Sequence, residues 1–218
     1  MNENSAFKEP YLETLLHKNP LLIRLIGLSP MLAISYTLTL SLSISIIFFI
    51  VMVMTSILVS ATRDLIPPPA ALGCYVLFSA TIVTIIELLM QACLPDLRTA
   101  LGLYLPIVAT NCLIIDRTLV FAARNTVMSS FKDAALQSFA VIFALFLLGA
   151  IRELIGYGSL LKDMYLITGN IEHVGLQLIK NNQGFTLASL PAGGFILLGL
   201  LIAAAGLLQT NTISEPKR

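Results

Sequence analysis

Residues 21–61 read LLIRLIGLSPMLAISYTLTLSLSISIIFFIVMVMTSILVSA, 41 positions that carry one charge, Arg24. A helix crosses the hydrocarbon layer with about 20 apolar residues. This run therefore holds two spans joined by a very short turn, expected around Thr37 to Ser43, where Ser and Thr accumulate. The whole chain agrees: 57% of its residues are hydrophobic and 11% charged, against about 25% charged in soluble domains. The expected class is an all-α, polytopic integral membrane protein.

Working outward, a polar segment of mixed charge occupies 1–19, with no apolar core or small-residue cleavage site of the signal-peptide kind. Spans 1 and 2 fill 20–66 and end at Pro67-Pro68-Pro69, which no helix can cross. Span 3 is expected over 70–94, and Pro95-Asp96 marks a turn. Span 4 follows over 99–120, then a polar loop from Arg124 to Asp133, span 5 over 134–155, a long polar connection over 156–190, and span 6 over 192–209. Together they form one membrane domain, 1–218. Six spans put both termini on one side. Nine of the Lys and Arg residues fall with the termini and four (Arg98, Arg152, Lys162, Lys180) opposite, so the positive-inside rule places the termini in the cytoplasm.

A short echo organises these spans. Ala61-Thr62-Arg63-Asp64-Leu65-Ile66 recurs 89 positions later as Ala150-Ile151-Arg152-Glu153-Leu154-Ile155. An arginine and a carboxylate are costly in hydrocarbon, so each copy reads as a span end, with the pair capping or packing there. Three spans per half is an odd number. The second half is then inverted relative to the first, an arrangement whose functional site lies near mid-membrane at the repeat interface.

Each half opens on an interrupted span. Gly27-Leu28-Ser29-Pro30 breaks span 1, and Pro106 with Asn111-Cys112 breaks span 4. Unwound backbone at membrane depth is tolerated where it is buried in protein or lines a cavity. Both breaks should face the repeat interface, although Pro and Gly are common in membrane helices and a lone Cys is usually a small buried hydrophobe. Glu87, seven residues before Leu94, is a candidate for ion handling. Its plainer reading is a side chain about 10 Å from the span end that snorkels to the headgroups. Arg24 anchors span 1 at the interface, and Cys74 and Cys93 read as packing. His17 and His173 are isolated, without the spacing of a metal site. No phosphate loop or nucleophile triad is recognisable. A net charge of +1 without a Lys/Arg run gives nucleic acid no footprint.

Asn19-Pro20-Leu21-Leu22, Gly27-Leu28-x-Pro30, Asn111-Cys112-Leu113-Ile114, Phe121-Ala122-Ala123-Arg124-Asn125 and Leu148-Gly149-Ala150-Ile151-Arg152-Glu153 resemble, in that order, the RnfE and NqrD membrane subunits. These belong to ion-motive electron-transfer complexes, the Rnf ferredoxin:NAD oxidoreductase and the sodium-pumping NADH:quinone oxidoreductase. The connection 156–190 and Leu190-Pro191-Ala192-Gly193-Gly194-Phe195-Ile196 look like the RnfE side of the family. The resemblance implies six helices as two inverted three-helix repeats in the bacterial inner membrane, beside a homologous RnfA-type subunit and the other Rnf subunits of the B, C, D and G types.

The resemblance further implies a 2Fe-2S cluster shared with the RnfA-type subunit, each of the two proteins offering one cysteine from each broken helix. Gly27, Pro30 and Asn111 would shape the breaks. Cys112 matches one cysteine position, whereas Ser29 stands where the family has the other. That departure leaves open a site with three cysteines and one serine, a paralogue without the cluster, and an engineered substitution. Asp116-Arg117 replaces the family's more usual Gly-Arg and reads as a surface pair. The function implied is electron passage coupled to sodium or proton movement by a subunit with no activity alone. A secondary transporter or ion carrier, or a scaffold without its cluster, would share the same pattern.

Overall fold

The computed structural model describes residues 28–161, 163, 176–177 and 190–213. Its elements in chain order are α1 (Leu28–Ile34), α2 (Leu38–Thr62), α3 (Ala71–Cys93), α4 (Pro95–Leu101), α5 (Tyr104–Ile107), α6 (Cys112–Arg117), α7 (Val127–Tyr157) and α8 (Pro191–Ile213). Short 3-10 turns at Pro68–Ala70 and Val108–Thr110 precede α3 and α6, and a π-helical turn, Thr118–Ala122, follows α6. Ser159–Leu160 pairs antiparallel with Leu176–Gln177. The membrane portion is all-helical. Among the described residues, four helical stretches are long and apolar enough to span a bilayer: Leu38–Thr62, Pro68–Cys93, Tyr104–Ala122 and Val127–Tyr157.

The turn between α1 and α2 lies earlier than the clustered hydroxyls suggest. It occupies Ser35–Thr37, and Thr37 accepts a hydrogen bond from the Leu40 amide as the cap of α2. Ser43 and Ser45 sit inside α2 and donate to the carbonyls of Thr39 (2.8 Å) and Ser41 (2.6 Å). A helix satisfies such hydroxyls through its own i−4 carbonyls, so their accumulation marks no turn. What it marks is a helix–helix seam. Most hydroxyl residues of α2 are buried, while Ile46, Ile50, Met54 and Leu58, four residues apart on one helix face, are exposed.

That seam is filled by α7, which runs antiparallel to α2. Ser41 donates to the Leu145 carbonyl, Ser138 to the Met52 sulfur, and Phe49 meets Phe139 edge to face at 5.6 Å. Lipid tails are as apolar as leucine, so close approach of small residues, not aversion to water, holds such helices together. Gly149 shows how tight the seam is: a Cβ there would lie 2.7 Å from the Ser41 Cβ. Phe48, Val51, Met52, Val141, Leu145 and Leu148 complete this core.

Span 5 also begins earlier than expected. The polar loop shrinks to 123–126, and Lys132 and Asp133 lie within α7. With 31 residues α7 is about 46 Å long, well beyond the roughly 30 Å of hydrocarbon, so polar residues occupy both ends of one continuous helix. Its last turn closes on Gly158, whose φ of 62° is the left-handed conformation glycine adopts freely.

Candidate functional site at a broken helix

The fourth span is interrupted twice. Gly102, at φ 49°, ends α4, and α5 lasts one turn before Asn111 takes an extended conformation (φ −65°, ψ 126°) and α6 restarts at Cys112. The restart is locally encoded. Asn111 is buried, and its side-chain oxygen accepts from the Leu113 amide at 2.9 Å, capping α6. Leu113 and Ile114 are buried against the bundle, whereas Cys112 is exposed. The break thus anchors its apolar residues inward and presents a thiol outward.

The break expected in span 1 falls at the edge of the described residues, which begin at Leu28, and Gly27 lies outside them. Ser29 and Pro30 lie in the first turn of α1, a place where proline loses no intrahelical hydrogen bond. Helix α1 packs against α5 and α8. The helix that carries Ser29 therefore touches the segment that leads to Cys112.

Both copies of the sequence echo act on the turns beside these breaks. Arg63 donates to the Asn125 carbonyl (2.8 Å), which Ser60 also reaches (2.7 Å), just ahead of α7. Arg152 donates to the Leu32 carbonyl and to the Ser35 hydroxyl (2.9 Å), just ahead of α2, and to the Leu190 carbonyl (3.0 Å), just ahead of α8. Glu153 accepts from the Leu38 amide at 2.8 Å. The second pair is no exposed span end. Arg152 and Glu153 are fully buried, because α7 continues past them and α1 and α8 close over them. Gly194 of α8 makes room, since a Cβ there would approach the Arg152 guanidinium to 3.0 Å.

Two more ion pairs tie the broken span to its neighbours. Glu87 of α3 holds Arg98 of α4 at 2.8 Å. Arg117, the last residue of α6, forms a two-pronged pair with Asp133 of α7 and lies over the Phe121 ring, 5.5 Å from its centroid. Arg117 thus reaches across to the next helix, whereas its sequence context suggests a surface pair with the adjacent Asp116. The sequence hides this contact because Asp133 reads there as part of a loop. Cys74 is half-buried and Cys93 exposed, both on α3. Among the described residues, no three His, Cys, Asp or Glu side chains form a group able to hold a metal ion.

Known membrane proteins resemble this chain along most of its length. The family described as "Rnf-Nqr subunit, membrane protein" matches residues 7–202. A Pseudomonas paraeruginosa protein, named as the E-type component of an ion-translocating oxidoreductase complex, is 40% identical over 186 residues, covering 85% of this chain and 78% of its own length. Proteins of the same name from Thioalkalivibrio sulfidiphilus and Vibrio cholerae are 36% and 35% identical, over 89% and 100% of this chain and 86% and 94% of their own lengths. With the match covering residues 7–202, the chain belongs to the Rnf-Nqr family of membrane subunits.

Proposed function

We propose that this chain is the E-type membrane subunit of an Rnf-type redox-driven ion pump, and that it passes electrons through a 2Fe-2S cluster shared with a homologous RnfA-type subunit. The observation that carries the reading is Cys112: a thiol exposed at an interrupted membrane helix whose neighbours Asn111, Leu113 and Ile114 are all buried. When bound, such a cluster accepts and releases single electrons and is held by thiolates. Cys112 supplies one thiolate. The serine at position 29 supplies a harder oxygen donor, and the partner protein supplies the remaining ligands.

In this reading the six spans are two inverted halves, α1–α2–α3 and α6–α7–α8. Their helices follow the same order, one short and two long, with 7, 25 and 23 residues in the first half and 6, 31 and 23 in the second. The reciprocal arginines support it, since the end of each long central helix is tied to the turn that opens the other. The breaks then lie at the repeat interface near mid-membrane. The chain sits in the bacterial inner membrane with both termini cytoplasmic, works with B-, C-, D- and G-type subunits, and couples electron passage to sodium or proton movement. Glu87 handles an ion only when Arg98 releases it. An unchanged number of ions moved per electron after Glu87→Gln would assign the pair to packing.

The test is made on the purified complex, by iron content and low-temperature electron paramagnetic resonance. Cys112→Ala should abolish the signal and the electron transfer. An intact signal and rate would remove the cluster from this subunit, and ion flux independent of electron supply would favour an ion carrier. Ser29→Cys should yield a more stable cluster of higher potential, because a softer thiolate replaces an oxygen ligand. An unchanged spectrum would show that position 29 does not face iron.

A further inference from the structure

The segment that carries Cys112 is unusually free of continuous helix. Upstream, the chain is broken at Gly102 and again at Asn111, and downstream the α-helical pattern lasts six residues before passing into a π-helical turn. Backbone hydrogen bonding therefore does little to fix the direction in which α6 points. Side chains must do it. Leu113 and Ile114 bury against the bundle, but apolar contact is non-directional. A planar, two-pronged pair sets an orientation as well as a distance.

Arg117 and Asp133 form such a pair. Both side chains are largely buried, at 17% exposure each. Arg117 closes the six-residue helix that Cys112 opens, and its guanidinium lies over the Phe121 ring. Asp133 belongs to α7, which is seated on α2 through Ser41, Gly149, Ser138 and Phe139. One end of the pair is thus on a firmly packed central helix and the other on the repeatedly broken segment with the thiol.

We infer that Asp133 is a positioning residue for Cys112: through Arg117 it fixes the orientation of α6, and so the direction in which the thiol leaves the bundle. The inference rests on the proposed function only for what Cys112 holds. The orientation itself is a property of this chain. Outer residues that orient metal ligands commonly matter 10–100-fold to metal retention or activity.

The experiment uses the intact complex with Asp133→Asn, Asp133→Glu and Arg117→Lys, and two readouts. The first is the Cys112-dependent paramagnetic signal and its midpoint potential. Asp133→Asn should alter the line shape and lower cluster retention by roughly 10–100-fold, and Asp133→Glu, which keeps the two-pronged carboxylate, should recover most of it. The second readout does not need iron. After treatment with a chelator, the alkylation rate of Cys112 is compared by peptide mass with that of Cys93, which is also exposed but lies on α3. Asp133→Asn should change this ratio severalfold, whereas a pair that merely adds stability would lower the melting temperature and leave the ratio in folded molecules unchanged. If Asp133→Asn fails to assemble, Arg117→Lys decides, since it keeps the charge and loses the fork. An unchanged ratio and signal in that variant overturn the inference. A wild-type complex without a Cys112-dependent signal, but with the altered ratio in the variants, would overturn the cluster and leave the positioning role standing.

Discussion

Arg63-Asp64 and Arg152-Glu153 are nearly the same two words in the sequence, placed in opposite surroundings. Asp64 has a side chain 89% exposed and lies 3.6 Å from Arg63, which is itself one-third exposed. Arg152 and Glu153 are fully buried. Each arginine does a comparable task, donating to a turn that opens the opposing central helix. The difference is in what surrounds them. Helix α2 stops at Thr62, so its pair faces outward, while α7 carries its pair past the α1–α2 turn and under α8. A charge pair inside an apolar pattern therefore marks either an end or a junction. At a junction both charges are compensated by backbone groups, and there the loss of one partner is most costly.

The comparison is broken most directly at Arg152. Arg152→Ala leaves the Leu32 and Leu190 carbonyls and the Ser35 hydroxyl without this donor in a buried junction. A loss of about 1–3 kcal/mol for each acceptor left unsatisfied is expected, read as failed accumulation of the protein or a melting temperature sharply lowered in detergent. Arg63→Ala should cost no more than about 1 kcal/mol. Equal losses at the two sites would show that burial is not what separates them.

Next in size is Gly149→Ala, which places a methyl group 2.7 Å from the Ser41 Cβ. Overpacking of this kind costs about 1–3 kcal/mol, and the double variant with Ser41→Gly should recover part of it, as thermal unfolding of the solubilised protein would reveal. Gly194→Ala is expected to act more weakly, because the group it meets at 3.0 Å is the end of an arginine side chain that can yield slightly. Its effect should vanish in an Arg152→Ala background, and a persistent effect there would mean that α8 is seated by something other than the guanidinium. The smallest change is expected from Asp64→Asn, an exposed partner in a loose pair. Its melting temperature should match the wild type.

Much of this is legible in the residues themselves. The apolar runs and the Asn111-Cys112 break reappear as helix and restart, and the Pro67–Pro69 run lies between α2 and α3 and opens the latter, because each depends on local chemistry: hydropathy over about 20 positions, missing amides, and an Asn side chain able to cap. The turn near Ser35 and the start of α7 depart from their expected places for the opposite reason. Hydroxyls in α2 satisfy themselves within the helix, and α7, which starts at Val127, takes in Asp133, whose charge Arg117 meets. The partner that explains Asp133 is 16 positions away, beyond the reach of local pattern.

By itself, then, the sequence determined that the chain crosses a membrane, where most of its helices stop and which of its three cysteines stands at a break. Those properties follow from each segment's free energy in hydrocarbon and from backbone groups that must be satisfied within a few residues. Tertiary structure alone decided that one Arg-acid pair is a surface end and the other a buried junction, and that Glu87 and Asp133 are bound to Arg98 and Arg117. Charge is tolerated in the membrane interior only where another element brings a partner to it, and which element arrives is set by how the helices cross.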